Sequence, residues 1–257
     1  MTGVQTCALP ISAAANRLGL ACHLALAGDR PEHHDGNLLL DALLGATIHY
    51  TGAREYYEIE ASIEELAARL ALDGCRPFAI PVGGASVTGA VAYALAVDEL
   101  RAQVDTDPDW IFVADGSGGT HAGLLAGLGT GSTTRVVGVD VGTRPDLDAV
   151  VPSLAAEAAR AVSRADPPVD TAIVDHDHVG LGYGELTDDG VRALRAVARA
   201  EGIVLDPVYS GKAMAAMLDW LASGRVNAGD TAVFWHTGGA PGLFARKYEG
   251  ELASEPA

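Results

Sequence analysis

A short glycine-rich turn is the segment of this sequence best suited to hold a charged ligand. The apolar run at residues 110–114 leads through Asp115 into Gly-Ser-Gly-Gly-Thr at residues 116–120, and a helix-like stretch follows. Glycines allow consecutive backbone N–H groups to converge, and a helix N-terminus adds partial positive charge. We therefore expect residues 116–120, here called the glycine turn, to bind a phosphate. The alternative is that these glycines only permit tight packing of strand against helix.

Two tyrosines and one threonine lie near glycines, at positions that are poorly suited to packing in a core. Tyr183 lies between glycines in Gly-Leu-Gly-Tyr-Gly-Glu, and Tyr209 precedes a helix-like segment in Asp-Pro-Val-Tyr-Ser-Gly-Lys. Either phenol could face a cleft, although each such tyrosine is more often structural. Thr237 precedes Gly238 and Gly239 at the end of an apolar strand, and ligands of open α/β sheets bind at such strand ends.

Other chemistries are less well supported. A dinucleotide site is disfavoured because the glycine spacing is not G-x-G-x-x-G, and Asp140 alone lies about 20 positions on, where a ribose-binding acid belongs. Asp-His-Asp-His at residues 175–178 suggests metal ligation, but no third cluster supports it, so a solvated loop is expected and no metal site is predicted. His121 and His236 could suggest acid–base work, but a position beside a bound ligand explains each of them better. Ser117 lacks a plausible triad.

The elements that must position these residues alternate between helical and strand-like segments, which predicts an α/β fold of parallel sheets flanked by helices. Ser62, with Glu65 three positions on, fits a capping box and predicts a helix over residues 62–72. Residues 78–82 are predicted to form a strand. A boundary is expected after Gly84, giving a small domain of residues 12–84 and a large domain of residues 85–257. Helices are also predicted at 37–45, 87–101, 147–163, 188–201 and 211–222, and strands at 22–27, 46–50, 110–114, 136–141, 171–174 and 231–235.

Composition restricts the class of protein. With 17 Lys+Arg against 34 Asp+Glu the formal net charge is −17, which opposes binding to nucleic acid or to an anionic membrane. No apolar run reaches the ~20 residues that cross a bilayer. The three cysteines have neither metal-site spacing nor a secretory context, so a cytoplasmic protein is expected. Lysine occurs only at Lys212 and Lys247.

The first eleven residues are expected to be foreign to the protein. Met-Thr-Gly-Val-Gln-Thr-Cys-Ala-Leu-Pro-Ile has no clear helical or strand period, and its back-translation resembles a common sequencing-library adapter. An ordinary disordered N-terminus is the alternative. The nucleotide reads upstream of Ser12 would separate the two.

Several stretches together resemble the D-cysteine desulfhydrase and 1-aminocyclopropane-1-carboxylate deaminase family, which has the tryptophan-synthase-β-like, type II pyridoxal-phosphate fold. They occur in the family's order and spacing from Ser12 to about Arg246. The matching stretches are AAANRLGL, GNLLLDALLGA, PFAIPVGGASVTGA, GSGGTHAGL, GYG, EGIVLDPVYSGKAM and HTGGAPGLFA. The resemblance implies a two-lobed α/β enzyme, a small amino-acid substrate, pyridoxal 5'-phosphate as cofactor and a homodimer.

The resemblance also implies roles for particular residues. Tyr183 and Tyr209 should face the substrate, and Ser210 and Thr237 should lie near the pyridine nitrogen. The deaminases typically carry glutamate and leucine at these last two positions, so the Ser/Thr pair favours a D-cysteine desulfhydrase. A 1-aminocyclopropane-1-carboxylate deaminase or a cysteate sulfo-lyase remains an alternative. The residues expected to hold the cofactor phosphate are Gly116, Ser117, Gly118, Gly119 and Thr120.

The sequence departs from the family in one respect that matters for catalysis. Members carry the Schiff-base lysine in a GGNK-like motif, followed by an SNH-like turn, both upstream of the position of Ser12. Neither motif occurs here. The chain is therefore expected to be an N-terminally truncated lyase without activity of its own, since Lys212 does not match the aldimine lysine. A catalytically dead phosphate-binding module is the alternative outside the enzyme class.

Overall fold

The computed structural model describes residues 8–253 of the chain. These residues form two compact units, of which one comprises the residues up to Gly84 together with those from Gly239 onward, and the other spans Ala85–Gly238. The expectation that a large domain continues from residue 85 to residue 257 differs from this division. After Gly239 the chain returns to the first unit, where the Arg246 backbone N–H donates to Asp35 Oδ2 at 3.0 Å.

Helices and parallel strands alternate along most of the chain, as the sequence pattern predicts. The helices are α1 (Ala8–Leu18), α2 (Gly36–Leu43), α3 (Tyr56–Leu72), α4 (Val87–Arg101), α5 (Gly119–Leu128), α6 (Leu147–Ala161), α7 (Asp188–Glu201), α8 (Ser210–Ala222) and α9 (Glu249–Leu252). The strands are β1 (His23–Leu26), β2 (Thr47–Tyr50), β3 (Trp110–Asp115), β4 (Arg135–Asp140), β5 (Ala172–Asp175) and β6 (Ala232–Trp235). No helix within residues 8–253 combines the length and apolar character that a bilayer crossing requires.

The first unit is built on the parallel pair β1 and β2, with Leu24 and Leu26 of β1 buried against Leu38 of α2. Its core also contains Ala8, at the start of α1. The expectation that the first eleven residues are foreign therefore concerns residues 8–11, which form the first turn of α1, and residues 1–7, which lie outside the described residues. Because residues 8–11 are helical and Ala8 is buried, the alternative of a disordered N-terminus does not describe these four residues.

Two local predictions in the first unit are wrong. Helix α3 begins at Tyr56 and not at Ser62, because the Glu58 carboxylate accepts the backbone N–H groups of Arg54 and Glu55 at 2.7 and 3.1 Å. These N–H groups lower the pKa of Glu58. Ser62 lies inside the helix and its hydroxyl donates to the Glu58 carbonyl at 2.8 Å, a common arrangement for a mid-helix serine.

The predicted strand at residues 78–82 is also wrong. Within the described part of the chain these residues pair with no strand, and Phe78 is 85% exposed. Val82–Gly84 instead form a 3-10 turn in which Gly83 has a φ of 69°. A short apolar run gives the same sequence signal whether or not a partner strand exists. Only the tertiary structure shows that this run has no partner strand.

The second unit contains a four-stranded parallel sheet in the order β5-β4-β3-β6. Ile111 and Val113 of β3 pack against α4, α5 and α6 on one face. Phe112 packs against Ala216 and Trp220 of α8 on the other. Because all four strands are parallel, the loops that follow them emerge at one edge, and the glycine turn follows the central strand β3.

Helix α5 approaches α4 so closely that only glycine fits at two of its positions. A Cβ at Gly123 would lie 2.3 Å from the Ala90 carbonyl oxygen, and one at Gly127 would lie 2.7 Å from the Ala94 carbonyl oxygen. All residues of α5 except Thr120 are buried. The helix that begins at the glycine turn is therefore held rigidly against its neighbour.

Candidate cofactor site

The glycine turn is shaped by the buried carboxylate at the end of β3. Asp115 is 2% exposed, and its Oδ1 accepts the Gly118 N–H at 2.9 Å. Gly118 has a φ of 89° and immediately precedes α5, so the chain reverses there in a conformation that glycine tolerates best. The first N–H groups of a helix have no partner within it, and those of α5 therefore face the turn as donors for an anion.

An unsatisfied hydroxyl lies beside the same turn. Thr143 Oγ1 is buried and has no hydrogen-bond partner among the described residues. A Cβ added at Gly116 would lie 3.1 Å from this oxygen and 3.4 Å from Tyr209 Cε1, so glycine leaves space between the three residues. A buried hydroxyl without a partner is costly, and an anionic ligand in that space would accept its hydrogen bond. The turn and Thr143 together fit a phosphate group.

His121 supports the turn from inside the protein. Its Nδ1 lies 2.8 Å from Asp115 Oδ2, and the imidazole is fully buried. A Cβ at Gly138 of β4 would lie 2.2 Å from His121 Nδ1, so the ring occupies the space that this glycine leaves. The sequence suggests acid–base work for His121 or a place beside a ligand, whereas the structure commits its Nδ1 to the carboxylate that shapes the turn.

The two tyrosines singled out in the sequence are in direct contact. The Tyr183 and Tyr209 hydroxyl oxygens are 2.6 Å apart, and the rings meet edge to face with centroids 5.8 Å apart. The backbone of Tyr183 packs on the loop after β4, where a Cβ at Gly142 would lie 2.8 Å from Tyr183 N. Through Tyr209 the phenol pair also lies beside Gly116 of the glycine turn.

Ser210 opens α8 and shares a network with Asp206. The Asp206 carboxylate is fully buried and accepts the backbone N–H groups of Val208, Tyr209 and Ser210 at 2.8, 2.9 and 2.8 Å. The Ser210 hydroxyl donates to Asp206 Oδ1 at 2.6 Å and accepts the Asp206 N–H at 2.7 Å. A hydroxyl has one hydrogen and two lone pairs. Ser210 therefore retains one lone pair and can only accept a hydrogen bond from a ligand.

Lys212 and Thr237 occupy contrasting environments. Lys212 is fully buried in α8, and its Nζ donates to the carbonyl oxygens of Val179 and Gly182 at 2.7 and 2.8 Å. Thr237 is exposed and follows β6, whose neighbour β3 leads into the glycine turn. The strand order places Thr237 at the same edge of the sheet as the turn. His236, beside it, has Nε2 3.3 Å from the Val204 carbonyl oxygen.

The acidic and histidine-rich stretch after β5 forms hydrogen-bonded pairs. Asp175 Oδ1 contacts His178 Nδ1 at 2.8 Å, and Trp220 Nε1 donates to Asp175 Oδ2 at 2.8 Å. Burial would raise the pKa of Asp175, but the bonds from His178 and Trp220 hold it below its usual value. The bond to Asp175 raises the pKa of His178, and bonds to Asp140 and Asp148 raise that of His176.

This geometry corrects the expectation of a solvated loop for the first of residues 175–178. Asp175 is buried at the end of β5, so a solvated loop does not describe it. Within the described residues no group of three or more acidic, histidine or cysteine side chains could hold a metal ion.

Parallel sheets flanked by helices, with a glycine-rich turn at the carboxyl ends of the strands, agree with the type II pyridoxal-phosphate fold. The chain belongs to the pyridoxal-phosphate dependent enzyme family, which matches residues 7–238. Within that family it is a member of the group that contains 1-aminocyclopropane-1-carboxylate deaminases and D-cysteine desulfhydrases. It is thus an enzyme that depends on pyridoxal phosphate, as the sequence resemblance implies.

Two curated relatives are equally similar to the chain. A Pyrococcus horikoshii protein, to which 1-aminocyclopropane-1-carboxylate deaminase activity is provisionally assigned, is 37% identical over 233 residues, covering 90% of this chain and 70% of its own. The D-cysteine desulfhydrase of Klebsiella pneumoniae is 37% identical over 242 residues, covering 91% of this chain and 73% of its own.

Solved structures show the same fold. A crystal structure of a 1-aminocyclopropane-1-carboxylate deaminase homologue has a TM-score of 0.84 at 36% identity, over 93% of this chain and 72% of that one. Serine racemase from Dictyostelium discoideum, at 16% identity, has a TM-score of 0.56 over 91% of this chain and 73% of its own. The second likeness concerns the fold alone.

Proposed function

We propose that this chain is the cofactor-binding part of a D-cysteine desulfhydrase, which converts D-cysteine and water into pyruvate, sulfide and ammonia. In this proposal the N–H groups of the glycine turn and the Thr143 hydroxyl hold the cofactor phosphate. Pyridoxal phosphate, when bound, supplies the electron sink that allows a substrate to lose its Cα proton and a leaving group at Cβ. The remaining steps depend on the side chains around it.

The phenol pair holds and moves a proton beside the substrate. With 2.6 Å between their oxygens, Tyr183 and Tyr209 share a strong hydrogen bond, so one phenol can release its proton while the other donates to the resulting oxygen. Tyr209 lies against the glycine turn at Gly116, which brings the pair close to the proposed phosphate position. The pair would accept or return a proton at a substrate atom, as general acid–base groups do.

The hydrogen bond from the Ser210 hydroxyl to Asp206 is the main observation that supports a desulfhydrase over a deaminase. The hydrogen of this hydroxyl is held by Asp206, so towards a pyridine nitrogen the hydroxyl offers a single lone pair. A carboxylate at this position would keep that nitrogen protonated far more strongly. Departure of a thiolate needs less electron withdrawal than opening a cyclopropane ring. Ser210, with Thr237 in place of leucine, therefore supports thiolate elimination and disfavours the deaminase.

We also propose that the chain as written does not turn over D-cysteine, because neither of its lysines matches the position of the family's Schiff-base lysine. The Lys212 amine is buried and donates to two backbone carbonyls. The Nζ of Lys247 lies 4.9 Å from the centre of the neighbouring Tyr248 ring. In this respect the chain by itself would behave as an inactive phosphate-binding module.

The test begins with pyridoxal phosphate, D-cysteine and the purified chain. We expect no sulfide above the rate of free cofactor and no lysine adduct after borohydride reduction. Fusion to a family-typical N-terminal segment with its GGNK-like and SNH-like motifs should release sulfide and pyruvate in equal amounts. Release of 2-oxobutanoate from 1-aminocyclopropane-1-carboxylate as the main activity would identify a deaminase, and sulfite from cysteate a sulfo-lyase. Stoichiometric labelling of Lys212 with turnover would refute the inactivity of the chain.

A further inference from the structure

We propose that Lys212 is a positioning residue that fixes Tyr183 against Tyr209. The inference rests on the proposed function, in which the two phenols act as a pair. The sequence offers Lys212 only as a poor substitute for a cofactor lysine. The structure gives its ammonium a different target, the backbone of the loop that presents Tyr183.

One helix end supports both phenols. Tyr209 immediately precedes α8, and Lys212 is the third residue of that helix. The two carbonyls that accept its N–H groups belong to Val179 and Gly182, and Gly182 directly precedes Tyr183. A shift of α8 would therefore carry Tyr209 and the Tyr183 loop together, which keeps the distance between the two hydroxyl oxygens constant.

The loop needs such an anchor because its own backbone is permissive. Gly180, Gly182 and Gly184 all have positive φ, at 66, 128 and 77°, and the segment between β5 and α7 contains no helix or strand. Glycine loses more conformational freedom on ordering than any other residue. Bonds from outside the loop must offset that loss, and the two from Lys212 flank the segment that leads into Tyr183.

The burial of an ammonium indicates that these bonds are strong. Lys212 is 0% exposed, and a buried cation is costly unless hydrogen-bond acceptors replace its hydration. The two carbonyl oxygens at 2.7 and 2.8 Å do so, and charge-assisted bonds of this length are about twice as strong as neutral ones. Methionine at this position would keep the apolar stem but donate nothing to the loop.

A double-substitution experiment on the full chain tests the inference. The seven tyrosines are labelled with carbon-13 at Cζ, and Tyr183→Phe and Tyr209→Phe assign the two resonances of interest. In the native background, each substitution should shift the resonance of the other tyrosine, because it removes one of the two hydroxyl groups that form their hydrogen bond. In Lys212→Met this cross-effect should be lost. The resonance of the Trp220 indole N–H, which bonds to Asp175, monitors folding of the same unit.

A matched control is available in Arg164. Its guanidinium also donates to two backbone carbonyls of the second unit, those of Gly127 and Ala94, at 2.7 and 3.3 Å. Arg164→Met should leave the tyrosine cross-effect unchanged. If Lys212→Met does not fold, Lys212→Gln, which keeps amide donors without the charge, replaces it and should reduce the cross-effect.

The outcomes separate this inference from the proposed function. A folded Lys212→Met chain that keeps the full cross-effect would overturn the positioning role. Unfolding of both Lys212 variants would do so as well, since the residue would then stabilise the whole unit and not the loop in particular. Binding of pyridoxal phosphate to the native chain, followed by fluorescence, tests the glycine turn independently. If the native chain does not bind the cofactor but Lys212→Met loses the cross-effect, the proposed function is refuted and the positioning role of Lys212 is supported.

Discussion

Replacement of Thr143 by valine should change cofactor affinity and folding stability in opposite directions. The Thr143 hydroxyl is buried without a partner among the described residues, so removing it should leave the stability of the chain unchanged or raise it by up to about 1 kcal/mol. If the hydroxyl donates to the cofactor phosphate, its loss removes a hydrogen bond to a charged group, which contributes about 1.5–3 kcal/mol. The dissociation constant should then rise about 10- to 150-fold.

Thr134→Val is the matched control. The Thr134 hydroxyl is also buried, but it donates to the Pro108 carbonyl at 2.6 Å and accepts from Ser132 at 2.9 Å. Its loss should lower stability by about 1–3 kcal/mol and leave affinity unchanged. Urea denaturation without ligand and fluorescence titration with pyridoxal phosphate measure the two quantities. If Thr143→Val destabilises the chain and binds the cofactor normally, the hydroxyl is structural and the phosphate assignment at this position is wrong.

Three further predictions concern stability. Gly123→Ala should lower it by about 3 kcal/mol in urea denaturation, because its Cβ would meet a carbonyl oxygen, whereas Gly131→Ala, which meets nothing, should change it by under about 0.5 kcal/mol. Because the pKa of His178 is raised, this group stabilises the fold below pH 6.5, and that stability is lost as the pH rises through the raised pKa. Because the pKa of Asp175 is lowered, this group stabilises the fold above pH 3.8, and that stability is lost as the pH falls through the lowered pKa. His178→Asn should therefore flatten the loss of stability as the pH rises above 6.5, and an unchanged slope would contradict this. Asp206→Ala should cost at least about 2 kcal/mol, checked by thermal melting, because it leaves three N–H groups at the start of α8 without their acceptor.

The fold was predictable where local signals and periodicity agree. Helices α4 and α7 have the predicted bounds, because Ser86 and Thr187 accept an N–H from the first turn of their helices and apolar spacing continues behind them. The strand, glycine turn and helix around residue 116 were predictable for the same reason. The prediction that a helix begins at Ser62 was wrong because the spacing from Ser62 to Glu65 is the same as that of a capping box. The real capping box involves Glu58, about one turn earlier.

The candidate site was predictable in its residues more than in its contacts. The tyrosines and the glycine turn carry local signals, and the resemblance grouped them. No local signal in the sequence predicts the hydrogen bonds inside the site. These are the bonds between Asp115 and His121, between Ser210 and Asp206, and between Lys212 and the Tyr183 loop. The bond from Lys212 to Val179 joins residues 33 positions apart, and Thr143 stands out only because its surroundings leave it without a partner. These contacts depend on how the elements pack, which spacing along the chain does not encode.

The contact between α4 and α5 also restricts how the gene can change. Every single-base change of a glycine codon that alters the residue introduces at least a Cβ or ends translation. At Gly123 and Gly127 that atom would meet the backbone oxygens of Ala90 and Ala94. Since every amino acid carries a carbonyl oxygen, no second substitution at Ala90 or Ala94 can restore the space. These two codons should stay glycine in descendants of this gene, even where the loops at the sheet edge diverge to accept other substrates.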